Sequence, residues 1–203
     1  GTEIYSALIS GSIELVHYME QVFQENEVTL DRVNFSSSDG METLFNLISQ
    51  GNIEGIQYMI DQEVDLNREH NSSYTILEAA KTGNLEVIQL LLNHDADIFV
   101  IGSGNATVLS QAAFSGNLEA VQLFIDQGFD PEVVKSSYGM PLIQAVFQSN
   151  DEMVRFLMDH GANGNIRDAN GKSPLIMATY MQDMPLIELL LEYEIDVNAI
   201  QDD

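Results

Sequence analysis

The sequence has no cysteine, no tryptophan and only 4 prolines among its 203 residues. Without cysteine the chain forms no disulfide, no thiolate-bound zinc site and no cysteine nucleophile, whatever compartment it occupies. It also lacks any apolar run of about 18 residues, so we expect no membrane insertion. No basic-then-apolar segment of the signal-peptide kind stands at the start, which slightly favours a cytoplasmic location, although the natural chain can begin before Gly1.

Positive charge is scarce as well. Lys and Arg number 7 against 32 Asp and Glu, which gives a net charge of −25. A field of this sign repels nucleic acid and anionic lipid and attracts basic surfaces. We therefore expect no nucleic-acid binding, and a protein partner with a basic surface. The alternative is that the charge serves only solubility.

The most informative feature that is present is an internal repeat. A short phrase of the type Gly-Asn-Leu-Glu begins at residues Gly11, Gly51, Gly83, Gly116, Ser149 and Gln182. Successive copies are offset by 40, 32, 33, 33 and 33 residues. In the third copy the segment Leu85–Leu92 carries an apolar stripe at helical spacing. Each unit is therefore predicted to be two short antiparallel helices.

Two segments carry a family resemblance. Gly83-Asn-Leu-Glu86 is similar to the start of the second helix of an ankyrin repeat, and Asp168-Ala-Asn-Gly-Lys-Ser-Pro-Leu175 resembles its turn and first-helix start. The resemblance implies an all-α fold, an ankyrin-repeat solenoid of about six helix–turn–helix units with protruding hairpin loops. It spans residues 1–203 as a single domain, with units at approximately 1–34, 35–67, 68–100, 101–133, 134–166 and 167–203.

The sequence departs from the family at two kinds of position. The family's histidine at the start of the first helix is replaced in every unit, by Ser110 in unit four. The resemblance then implies that the hydrogen bonds of that histidine are missing. Unit one also carries seven extra residues near Val22–Thr29. Seven residues are about two helical turns, so we expect a longer second helix, with a longer loop as the alternative.

Motifs of catalysis and metal binding are not found. The sequence contains no nucleophile elbow, phosphate-binding loop, dinucleotide fingerprint or zinc-protease motif. His94 and His160 occupy equivalent positions at the ends of second helices, where the helix dipole favours them. A calcium loop at Asp168 would need an acidic residue where Thr179 stands. We predict no enzyme activity, no metal and no cofactor.

The resemblance implies a protein–protein interaction scaffold that holds its partner on a concave face of hairpin tips and first helices. The Leu or Ile that opens each first helix is Ile4, Leu44, Ile76, Leu109, Leu142 or Leu175. Five residues further on, at the expected contact position, stand Ile9, Ser49, Lys81, Phe114, Phe147 and Tyr180. The predicted partner-binding set is Phe114, Phe147, Tyr180 and Met181, with the hairpin residues Phe99, Ile101, Val134 and Tyr138. The alternative is that these side chains fold back and complete the core.

The last second helix, Met184–Leu191, is as apolar as the internal ones. A solenoid needs polar faces at its ends, because each unit is covered only by its neighbours. We therefore expect either that the chain continues past Asp203 or that this face packs on a second copy. A structural role follows as the alternative function, either as a self-associating spacer or as an array packed against other domains of a longer chain.

Overall fold

Short paired helices make up the structure. The computed structural model describes residues 2–25, 34–129, 140–168, 170–193 and 195–197. In these ranges the helices are α1 (Thr2–Ile9), α2 (Ile13–Glu25), α3 (Ser38–Gln50), α4 (Ile53–Asp61), α5 (Thr75–Thr82), α6 (Leu85–Asn93), α7 (Val108–Ser115), α8 (Leu118–Asp126), α9 (Pro141–Phe147), α10 (Asp151–Asp159), α11 (Pro174–Met181) and α12 (Met184–Leu191). The predicted all-α fold of paired helices is confirmed.

The chain divides into two compact units. The N-terminal unit consists of Gly1–Ala79 and Asn84–Asp97, which include α1 to α4, most of α5, and α6. The C-terminal unit consists of Ala80–Gly83 and Ile98–Asp203, and it contains α7 to α12. Both units are therefore built from the same repeating helix pair.

The two helices of a pair are joined by a tight turn, and its helix-capping hydrogen bond recurs along the chain. In the N-terminal unit, Gly51 ends α3 with a φ of 69°, and the side-chain oxygen of Asn52 then accepts a hydrogen bond from the Gly55 amide at 2.9 Å. Equivalent caps precede later second helices at Asn84, Asn117, Asn150 and Asp183. Such a cap contributes about 1 kcal/mol because it satisfies an amide that the helix leaves unpaired.

Small residues allow the first helices of the C-terminal unit to pack closely. Helix α9 packs against both α7 and α11. Ala112, Ala145 and Ala178 recur at a spacing of 33 residues in the sequence and are fully buried on these helices. The second helices contribute larger side chains, such as Phe124 and Leu157, which are also fully buried. The core of this unit is thus filled without the aromatic residues of its first helices.

Two helices of the N-terminal unit are longer than the rest. Helix α2 continues to Glu25, in line with the expected extension, and residues 26–33 lie outside the described part of the chain. Helix α3 begins at Ser38, six residues before Leu44, so the predicted opening at Leu44 was wrong. The earlier start has a local cause, because the Ser37 hydroxyl caps the helix by accepting from the Gly40 amide at 3.2 Å.

The expectation of missing hydrogen bonds at the first-helix starts was wrong for α7. The Ser110 amide donates to the Thr107 hydroxyl at 3.2 Å, and the Thr107 amide donates to the Ser110 hydroxyl at 2.9 Å. This reciprocal capping box satisfies two amides that the helix leaves without backbone partners. Ser110 therefore makes at this helix the kind of hydrogen bond that the resemblance implied to be missing.

A buried aromatic cluster holds the N-terminal unit together. The ring of Phe35 lies edge-on to the ring of Tyr5 at 5.8 Å and to that of Tyr58 at 5.9 Å. The Tyr58 hydroxyl donates to Glu20 Oε1 at 2.8 Å. Burial, and then the hydrogen bond and charge of Glu20, raise the pKa of Tyr58 well above its usual range. The cluster therefore joins three helices, α1, α2 and α4, to the segment before α3.

Candidate functional site

Three aromatic residues occupy one register position on the first helices of the C-terminal unit. Phe114 is the next-to-last residue of α7, Phe147 the last of α9, and Tyr180 the next-to-last of α11. Because α9 packs between α7 and α11, equivalent positions on the three helices follow one another in space. We call Phe114, Phe147 and Tyr180 the aromatic row.

The side chains of the aromatic row are exposed. Their exposed fractions are 44% for Phe114, 65% for Phe147 and 67% for Tyr180. The residues just before the two phenylalanines, Ala113 and Val146, are fully buried. A helix turns by about 100° per residue, so a side chain can be exposed although its neighbour in the chain is buried. This exposure favours a surface position for the three rings over the alternative that they complete the core, and their binding role stays a prediction.

The other predicted binding residues have separate positions. Met181 ends α11 beside Tyr180 and is exposed. Phe99 and Ile101 lie in the segment before α7 and are exposed as well, while the ring of Phe99 stacks on the buried ring of Phe129 at 5.8 Å. Val134 and Tyr138, which complete the predicted set, lie outside the described residues.

A cation already lies on one ring of the row. The ammonium of Lys172 is 4.4 Å from the centroid of the Tyr180 ring. This distance is within the range of a cation–π interaction, in which the negative face of the ring attracts the charge. The row therefore presents at least one ring face to a positive group.

An open pocket of about 440 Å³ lies beside Phe114. It forms where the end of α7 meets the turn between α9 and α10, and its lining residues are Phe114, Ser115, Gly116, Gln148, Ser149, Asn150 and Asp151. Gln148 and Asp151 were not among the predicted site residues. Their separation from Phe114, close to one repeat length, is the signal that would have placed them near it.

The lining of the pocket includes one acidic residue, Asp151. Asp151 and Glu152 are exposed in the first turn of α10. One turn further on, Arg155 donates from Nη1 to Glu192 Oε2 at 2.9 Å, so this cation is engaged by the carboxylate that follows α12. The Asp151 carboxylate is thus available to a positive group that enters the pocket.

The histidines have structural positions. His94 and His160 end α6 and α10 as their C-cap residues, as the sequence predicts. The His160 ring donates from Nδ1 to the Phe156 carbonyl at 2.7 Å and stacks on the Phe156 ring at 4.1 Å. In the described part of the chain no three His, Asp or Glu side chains are grouped to hold a metal ion.

The turn at Asp168 also matches its predicted role. Asp168 Oδ1 accepts from the amides of Asn170 and Lys172, each at 2.8 Å, which is the pattern of a side-chain-stabilised turn. Among the described helices, none is long and apolar enough to cross a membrane.

Comparison with known proteins assigns the family. A model of ankyrin repeats, which describes three copies, matches residues 4–101 and again residues 109–201. The chain belongs to the ankyrin repeat family. Ankyrin repeats are protein–protein interaction modules and are not typically enzymes. None of the curated proteins compared with this ankyrin repeat chain matches it.

Proposed function

We propose that this ankyrin repeat chain is an interaction scaffold that binds a protein partner on the aromatic row of its C-terminal unit. The observation that carries the proposal is the exposure of Phe114, Phe147 and Tyr180 on three helices that pack side by side. Soluble proteins seldom present several large apolar side chains together unless the surface contacts a partner. Aromatic side chains also contribute most of the energy at binding hot spots.

The acidic surface favours a partner with a basic surface. The C-terminal unit has 15 Asp and Glu against 5 Lys and Arg, so the field around the aromatic row is negative. A basic partner is drawn to such a surface at long range, and salt weakens the attraction. Affinity is therefore expected to fall between low salt and about 0.5 M salt, and unchanged affinity would assign the charge to solubility alone.

The test begins with two forms of the chain used as baits in source-cell extract. One is unaltered, and the other carries Phe114→Ala, Phe147→Ala and Tyr180→Ala. Proteins that bind the first and not the second are identified by mass spectrometry, produced pure and measured by calorimetry. Each single alanine substitution is expected to weaken binding by about 1–2 kcal/mol or more.

A matched control uses exposed apolar residues away from the row. Leu15 and Tyr18 on α2 of the N-terminal unit are exposed, so Leu15→Ala with Tyr18→Ala removes comparable side chains. The control is expected to bind as the unaltered chain does. If the control loses affinity as much as the row variants, or if the row variants bind normally, the proposed surface is wrong.

A second candidate function is structural, through self-association at the last helix pair. The first-helix residue Leu142 and the second-helix residue Val154 are buried, whereas their counterparts Leu175 and Ile187 are only half-buried. Leu191, at the end of α12, is 49% exposed. A second copy packed on α11 and α12 would cover this apolar face, and another domain of a longer chain would do the same.

Light scattering at increasing protein concentration separates the two candidates. Self-association predicts a mass above 22.5 kDa that Leu191→Glu returns to the monomer value. A chain that stays monomeric at high concentration contradicts the self-associating role and leaves the interaction scaffold. Aromatic-row variants with an unchanged mass would show that the row is not the self-association surface.

A further inference from the structure

We propose that the pocket between Phe114 and Asp151 is the subsite that receives an arginine or lysine side chain of the partner. This inference rests on the proposed function and adds a specific contact to it. The lining of this pocket of about 440 Å³ includes an aromatic residue, Phe114, an acidic residue, Asp151, and the amide residue Gln148. These are the groups that recognise a guanidinium or an ammonium ion.

The chain itself shows that a cation binds at this register position. Tyr180, which is equivalent to Phe114 two repeats later, has the Lys172 ammonium 4.4 Å from its ring centroid. The residue equivalent to Lys172 in the repeat of Phe114 is Ala106, which carries no charge. Phe114 therefore has no lysine of its own repeat at this position, and it lines an open pocket.

The charge at the pocket favours an incoming cation. In the described part of the chain no side chain pairs with Asp151, and the nearest basic residue along α10, Arg155, is bonded to Glu192. A net charge of −25 raises the local concentration of basic segments around the chain. A basic side chain entering the pocket would gain both the ring face of Phe114 and the carboxylate.

The competing explanation for Asp151 is a purely helical one. An acidic residue in the first turn is stabilised by the amides at the helix start, and Asp151 is the first residue of α10. That role explains the residue type at position 151. It does not explain the exposed ring and the open volume beside it. Affinity for a cationic ligand is therefore the quantity that distinguishes the two roles.

The test uses peptides selected for binding rather than a presumed partner. A phage-displayed library of random dodecapeptides is selected on the full chain, and the enriched peptides are synthesised. Each peptide with a recurring basic residue is also made with a neutral replacement, citrulline for arginine or acetyl-lysine for lysine. Calorimetry then measures all peptides against the unaltered chain and its variants.

The variants isolate the pocket from the rest of the aromatic row. Asp151→Asn removes the carboxylate, and Phe114→Leu removes the ring face while keeping an apolar side chain. Glu188→Gln on α12 is the matched control, because Glu188 is an exposed carboxylate of the same unit. Phe147→Ala tests the row outside the pocket. Thermal unfolding of each variant verifies that it is folded.

The expected result is a specific coupling. Asp151→Asn lowers the affinity of the chain for a basic peptide by about three- to tenfold, and Glu188→Gln leaves this affinity unchanged. The neutral peptide binds the unaltered chain more weakly than the basic peptide does, by a similar factor. Its affinity no longer responds to Asp151→Asn, because the two changes remove the same contact. Phe114→Leu lowers the affinity for the basic peptide more than the affinity for the neutral one.

Two results would overturn the inference, and they differ in what they say of the proposed function. If the selected peptides lose affinity with Phe147→Ala but not with Asp151→Asn, the proposed subsite is wrong and the aromatic row remains the binding surface. Peptides that depend neither on the pocket nor on the row would overturn both proposals.

Discussion

The buried aromatic cluster of the N-terminal unit contrasts with the exposed aromatic row of the C-terminal unit. In the N-terminal unit Tyr5, Phe35 and Tyr58 are buried against one another and join several helices. In the C-terminal unit Phe114 and Phe147 end first helices with their rings exposed. The position of a ring in the repeat, and not its residue type, therefore decides whether the ring is buried or exposed.

The N-terminal unit has no counterpart of the aromatic row at the same register position. Its equivalent residues are Ile9 and Ser49, and the Ser49 hydroxyl donates to Glu78 Oε1 at 3.1 Å. This unit is also the more acidic of the two, with 17 Asp and Glu against 2 Lys and Arg. On the proposed function, it contributes charge to partner binding and the C-terminal unit contributes apolar contact.

The largest expected effect tests buried against exposed rings within a single helix pair. Phe124 on α8 is fully buried, so Phe124→Ala should lower the free energy of unfolding by about 3–5 kcal/mol. Phe114→Ala on α7 removes an exposed ring and should lower it by less than about 1 kcal/mol. Urea denaturation followed by circular dichroism measures both. Comparable losses would make Phe114 part of the core and remove the basis of the aromatic row.

A smaller effect tests the buried cluster of the N-terminal unit. Tyr58→Phe keeps the ring but removes the hydrogen bond to Glu20, and should lower the free energy of unfolding by about 1 kcal/mol at neutral pH. The folded state raises the pKa of Tyr58, chiefly by burial. The folded protein therefore keeps the phenol proton at pH values above about 10, where the unfolded chain loses it. The stability from this group is therefore complete below pH 10 and is lost as pH rises above it.

The variant should consequently lose less stability than the unaltered chain when the pH is raised above about 10. Urea denaturation at a series of alkaline pH values measures the difference. Tyr18→Phe is the control, because Tyr18 is an exposed tyrosine of the same unit. Identical alkaline profiles for the unaltered chain and Tyr58→Phe would show that the Tyr58 environment does not favour the neutral phenol.

The sequence predicts the repeated helix pair well, since the 33-residue spacing and the helical stripe are local patterns. It also locates the small packing residues, such as Ala112 and Ala145, because the same register position recurs in each unit. The Asn caps, such as Asn117, were missed although an Asn directly before an apolar stripe is a signal for them. Local sequence patterns therefore predict most of the fold.

The site could be predicted only in part. The register selects Phe114 and its equivalents, but the sequence alone left their exposure open, because an aromatic residue is common both in cores and at interfaces. The pocket has Asp151 and Phe114 in one lining, although they are about a repeat apart in the sequence. Such a juxtaposition follows from the packing of α7 against α9, which no local pattern reports.

The smallest expected effect compares the turns of the two units. In the N-terminal unit the turn after α1 is at Gly11, with a φ of 77°, whereas the turn after α11 in the C-terminal unit is at Gln182, with a φ of 58°. A residue with a Cβ is strained in this left-handed region by about 1 kcal/mol, and glycine is not. Gln182→Gly should therefore stabilise the chain by about 0.5–1 kcal/mol.

The reciprocal substitution shows whether backbone strain is the cause. A Cβ added at Gly11 would meet Asn52 Nδ2 at 3.8 Å, an ordinary contact distance, so Gly11→Ala introduces strain without a clash. It should destabilise the chain by about 0.5–1 kcal/mol, opposite in sign to Gln182→Gly. Urea midpoints measured side by side check the pair. If Gln182→Gly destabilises the chain, the Gln182 side chain makes a contact worth more than the strain, and the turns of the two units are not equivalent.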